Sequence, residues 1–169
     1  MRKINCIVGL LLILSGLLLS VMIPGGPIET RDFSQINPGV LGLFNIFLTA
    51  LGLVSFGAAV FAFRREPISY YFALVIAICY FGVYVLDLLQ IFPRSPVAMP
   101  MILRFLEVTG TVVSVPLAIG SVLLISQRRN EKAVRKSTGF FLPVWLWILV
   151  VIIGISIVIF ATISAMGLR

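Results

Sequence analysis

The chain has 169 residues, of which 60% are hydrophobic and 11% charged, with a formal net charge of +7 and a mean hydropathy of +1.17. Soluble domains carry charge on about 25% of their residues, and a water-soluble fold of this length cannot hide so much apolar surface, so lipid is the expected solvent. The basic residues sit in short segments between apolar runs, which is a pattern of membrane orientation and excludes nucleic acid as a partner. Cys6 and Cys79 are the only cysteines, and histidine is absent. A disulfide framework, a Cys-x-x-Cys redox pair, bis-histidine haem and the usual zinc or copper sites are therefore not expected. No cofactor or metal is expected.

The fold class expected is all-α: a single transmembrane domain over 1–169 with five spans. The first apolar run covers about 4–23. Arg2-Lys3 ahead of it resembles the start of a signal peptide, but a run of about 20 residues exceeds the 7–15 typical of a signal h-region, and no small-residue cleavage site follows. It reads as a retained anchor. Residues 24–38 form a turn-rich loop that opens on Pro24-Gly25-Gly26-Pro27. Asn37-Pro38 then reads as an N-cap followed by the first helical residue. The second span covers about 39–63 and stops at Arg64-Arg65-Glu66-Pro67. The third covers about 68–92 and turns at Pro93-Arg94-Ser95-Pro96, so the third and fourth spans are antiparallel neighbours. The fourth covers about 99–126, with Pro116 as an expected kink. A polar segment with five basic residues follows, and its ordinary reading is cytoplasmic anchoring. The fifth span covers about 140–166, with Trp145 and Trp147 at interfacial depth. Each run has the roughly 20 residues that crossing requires.

Orientation follows from the lysine and arginine counts. Nine lie on the side of the N-terminus (Arg2, Lys3, Arg64, Arg65, Arg128, Arg129, Lys132, Arg135 and Lys136), against Arg31, Arg94 and Arg169 on the other. The bias places the N-terminus in the cytoplasm and the C-terminus outside a prokaryotic cytoplasmic membrane.

Residues three and four apart share a helix face. Gly42, Asn45, Thr49, Gly52 and Ala59 make one stripe on the second span. Ala73, Ala77, Tyr80, Tyr84 and Asp87 make one on the third, and Arg104, Glu107, Thr111, Ser114, Ala118 and Ser121 one on the fourth. The first span has a thinner stripe of Cys6, Gly9, Gly16 and Ser20. Small and polar stripes are what helices use to pack in lipid, where apolar attraction between them is weak. The expected architecture is an antiparallel bundle of spans one to four. The fifth span, with only Gly154, Ala161 and Ala165 in loose register, is expected to be peripheral or to face another membrane protein. Membrane lipids are the other expected partner.

Asp87, Arg104 and Glu107 are the acidic and basic residues well inside apolar runs. Charge near the bilayer centre costs about 2.5–3.5 kcal/mol on insertion scales, so such residues are candidates for function. Their depths match: Asp87 lies about 7.5 Å from the end of its span at 1.5 Å per residue, which lets it meet Arg104 across the hairpin. Asn45, Tyr80 and Tyr84 belong to the same half, and Glu29, Arg31 and Asp32 in the first loop form a candidate lid. These residues are candidates to bind a small solute, a lipid headgroup or a proton, with Glu107 as the proton carrier. The competing reading is a buried ion pair that fixes helix register. Two carboxylates without a nucleophile, metal set or histidine are a weak sign of acid–base catalysis. The function expected is a non-catalytic accessory or structural membrane subunit, and the alternative is a small solute or proton-linked transporter or ligand-binding protein.

Overall fold

A computed structural model describes residues 2–24, 26–130 and 144–166, and within them the side chains of 2–24, 26–128 and 148–166. Gly25, most of the basic run beyond Arg128, the expected start of the fifth span at Phe140, the Trp145 and Trp147 side chains and Arg169 lie outside what is described. The described elements are five helices, α1 (Arg2–Val21), α2 (Pro38–Phe63), α3 (Ile68–Leu88), α4 (Met101–Asn130) and α5 (Val144–Ala165). All five are long and apolar enough to cross a membrane. The chain is a multi-pass membrane protein with an all-α fold.

Helix ends follow local chemistry. Asn37 caps α2, its side-chain oxygen accepting from the Gly39 N–H at 2.9 Å, and Pro38 occupies the first turn. α2 and α3 close in the same way without glycine. Arg65 (φ 60°) and Gln90 (φ 54°) adopt the left-handed conformation. Beyond them, the Glu66 N–H donates back to the Phe61 carbonyl and the Ile91 N–H to that of Leu86. This is the Schellman arrangement, which satisfies carbonyls left over at a helix end. α3 therefore stops at Leu88, four residues short of the expected Phe92. α4 starts at Met101, just after Pro100, and keeps Pro116 inside it.

α1 packs on α2 and α4, and α3 packs on α4 and, less extensively, on α2. The 64–67 connection is short, so α2 and α3 run against one another, and with α1 and α4 they form the bundle. α5 packs on α2 alone among the described helices. The buried seam of α3 is the expected one: Ala73, Ala77 and Tyr80 are fully buried, and Tyr84 nearly so. That of α1 is shifted to Asn5, Val8, Gly9, Leu12, Ser15, Gly16 and Leu19, and Cys6 is exposed. On α4 the seam is Leu103, Glu107, Gly110, Ser114, Leu117, Ser121 and Leu124, a strict alternation of three and four that leaves Arg104, Thr111 and Ala118 on its flank. α2 serves two neighbours. Ser55, Ala58, Ala59 and Ala62 are buried in the core, whereas Gly42 and Thr49 look toward α5, whose Thr162 and Gly154 approach them. Leu43, Val75, Ile78 and Val112 point outward, each more than 60% exposed or nearly so. An apolar perimeter of this kind is stable only in contact with lipid or another protein.

Candidate functional site

The segment 28–33 crosses one end of the bundle, between α1 and α2. Its burial alternates. Glu29, Arg31 and Phe33 are buried, while Thr30 and Asp32 are exposed. This is the period of two that an extended chain imposes on its side chains. Phe33 holds the segment down, its N–H donating to the Ala165 carbonyl at the end of α5 at 3.0 Å, with its ring packed against Leu41 and Ala165. The Arg31 guanidinium lies 5.1 Å over that ring, a distance at which the ring face attracts a cation.

Arg31 is the centre of the site. Its Nη1 and Nη2 donate to the two carboxylate oxygens of Asp87 at 2.7 and 2.8 Å. Its Nε and Nη2 donate to Glu29 at 2.9 and 2.6 Å, and the Arg31 backbone N–H also donates to Glu29, at 3.1 Å. The planar fork of arginine matches two carboxylates at once. Burial alone would lower the affinity of the guanidinium for its proton, but its bonds to Asp87 and Glu29 and their charges outweigh that. Arg31 is held above its ordinary value and stays charged at every accessible pH.

Glu107, at 2% exposure, completes the group from α4. Its Oε1 is 3.8 Å from Arg31 Nη2, a looser approach than the other two carboxylates make. Its Oε2 is buried with no hydrogen-bond partner, and so is the Tyr84 hydroxyl. Both residues line a cavity of about 50 Å³ that also touches Leu19, Met22, Asn45 and Asp87. A water needs about 10–15 Å³ of such space, so the cavity has room for roughly three. Gly110, one turn beyond Glu107, leaves the room in which the Tyr84 ring lies.

The structure thus brings together Asp87, Glu107, Tyr84 and Asn45 as the sequence suggests, but it changes the base. Arg104 is exposed, and every ion pair of Asp87 among the described residues is with Arg31. The reason is helix phase and depth. α4 begins at Met101, so Arg104 lies one turn from its end, beside rather than on the stripe led by Leu103 and Glu107, where a long side chain reaches outward. Glu29 and Arg31, expected as a lid over the site, are part of the site itself. Asp32 is not: its carboxylate accepts from the Ser34 N–H and hydroxyl at 2.9 and 3.0 Å in an exposed local turn. Tyr80 sits deeper, sharing a 2.9 Å hydrogen bond with the Ser55 hydroxyl and stacking on Tyr84 at 5.9 Å. Asn45 Nδ2 donates to the Thr162 hydroxyl of α5 at 3.1 Å, so it joins the cavity to the fifth helix. The roles of Ser55, Thr162 and Phe33 were not legible from helical periodicity.

No curated protein and no solved structure matches this chain. A family model described as a domain of unknown function (DUF8051) matches residues 4–136, the stretch that holds all of α2–α4, all but the first two residues of α1 and all four members of the ionic cluster. The chain belongs to that family.

Proposed function

We propose that the chain is a non-catalytic accessory or structural subunit of a prokaryotic cytoplasmic membrane, with its N-terminus in the cytoplasm and the 24–37 loop outside. One observation carries this reading: Arg31 spends its Nε and both Nη groups on Glu29 and Asp87. An arginine built to receive a solute keeps donors directed at the space the solute fills. This one commits four of its five N–H groups to tying a loop to α3, so its work is to hold the loop end of the bundle in one shape. The fifth helix supports the same reading. It rests on α2 alone among the described helices, and Ile152, Ile155 and Ile159 along it are more than half exposed, which suits a face for another membrane protein.

Extraction of the tagged full chain in a mild detergent tests the proposal. A stoichiometric membrane-protein companion, released when Ile152, Ile155 and Ile159 are shortened to alanine, is the expected result. A monomeric, companion-free chain that moves a solute across liposome membranes would refute it.

A further inference from the structure

The ionic cluster has a surplus of acid. Glu29, Asp87 and Glu107 surround one guanidinium, and two of the three already absorb its donors at 2.6–2.9 Å. With all three ionised the group would hold two uncompensated negative charges in a setting where Glu29 and Glu107 are at most 4% exposed. Isolated buried charge costs several kcal/mol per ion, so the third carboxyl group needs a positive occupant or must be neutral. Glu107 is that third group, since its nearest approach to Arg31 is 3.8 Å and its Oε2 has no partner. It approaches the same Arg31 Nη2 that Asp87 already occupies at 2.8 Å, so the two carboxyl groups crowd one donor, and both cannot be ionised there without repulsion.

We propose that Glu107 is a proton-binding site, its carboxyl group held neutral beside the small cavity under the 28–33 segment. The neighbours on every side fit this occupant. α3 contributes Asp87 and the Tyr84 and Tyr80 hydroxyls, and the loop contributes Glu29 and Arg31. α1, the turn after it and α2 line the cavity there with Leu19, Met22, Leu41, Phe44, Asn45 and Leu48, none of which titrates. Arg104 of α4 is exposed and supplies no compensating charge. The unpartnered Tyr84 hydroxyl and the room for water give the proton a route between Glu107 and the cavity. The proton decides how Arg31 is shared. Neutral Glu107 leaves the guanidinium to Glu29 and Asp87, while ionised Glu107 competes for it and loosens the loop. The site is independent of whether a partner protein binds α5.

Infrared spectroscopy of the full chain in lipid nanodiscs, with its glutamate side-chain carboxyl carbons labelled with ¹³C, tests this. The expected result is a protonated-carboxyl stretch at neutral pH that shifts with the label, fades on alkaline titration and is lost in Glu107→Gln. Absence of a label-sensitive band, or a band that survives Glu107→Gln, overturns the proposal. Should Glu107→Gln fail to fold, Tyr84→Phe decides. The band changes frequency if its carboxyl group faces the Tyr84 hydroxyl across the cavity, and an unmoved band overturns the assignment.

Discussion

Arg31 and Asp87, 56 residues apart in the chain, are joined by two parallel hydrogen bonds of 2.7 and 2.8 Å. Through them a segment without regular structure is fastened to the end of a membrane helix. The geometry is bidentate, and the Arg31 side chain is only 3% exposed, so water does little to soften its loss.

Arg31→Ala leaves a buried Glu29 and a half-buried Asp87 without their counter-charge. Breaking a buried pair by removing one partner costs about 3–5 kcal/mol, and thermal unfolding in detergent should show a loss of that order. Arg31→Lys recovers only part of it, because a point charge cannot serve two carboxylates in fork geometry. Arg104→Ala, which touches none of this, should stay within about 0.5 kcal/mol. Equal losses for Arg31→Ala and Arg104→Ala would contradict the pairing.

The same cluster sets a pH expectation. The affinity of Arg31 for its proton is raised above its ordinary value by its bonds to Asp87 and Glu29. A group raised on folding contributes stability that is complete below its unfolded value and declines only as pH climbs past it. Arg31 therefore adds no slope to stability between pH 5 and about pH 10. Comparing wild type with Arg31→Lys from about pH 8 to about pH 11.5 checks this, since lysine, with an ordinary value of about 10.4, begins to lose its contribution above that value while arginine does not.

Gly110→Ala should destabilise by about 1–3 kcal/mol, the usual range for overpacking. A methyl group there would sit 2.7 Å from Cζ of the Tyr84 ring, and that ring is pinned against Tyr80. Gly57→Ala is the control, because nothing lies within 4 Å of its added carbon, and better helix propensity should leave it neutral or up to about 1 kcal/mol more stable. Melting temperatures of the two variants, measured side by side, decide the point.

Gln90→Gly should stabilise the protein by roughly 1 kcal/mol, since a side chain at φ 54° bears a left-handed strain that glycine does not. The hydrogen bonds that end α3 are all made by backbone and survive the change. A lowered melting temperature would argue against this helix ending.

Tyr80→Phe removes the bond to Ser55 while leaving the Ser55 hydroxyl its own bond to the Leu51 carbonyl at 2.6 Å. With one partner still satisfied, the loss should be about 0.6 kcal/mol, the mean for hydrogen bonds between membrane helices. A double-mutant cycle with Ser55→Ala measures it directly.

How much of this was readable from the amino acids alone depends on range. Run length and hydropathy determined five spans, because a backbone in lipid must satisfy its own hydrogen bonds and only a helix of about 20 residues does so across the core. Periodicity of 3.6 determined the α3 seam from Ala73 to Asp87, because side-chain direction along a helix is a local property. Tertiary structure alone decided which base meets Asp87. Helical spacing nominated Arg104, yet the charge came from Arg31 in a loop whose path is set by Phe33 reaching the end of α5. A contact across 56 residues depends on where several helices stop and how they are phased, and a one-residue shift on α4 was enough to turn Arg104 away while keeping Glu107 inside.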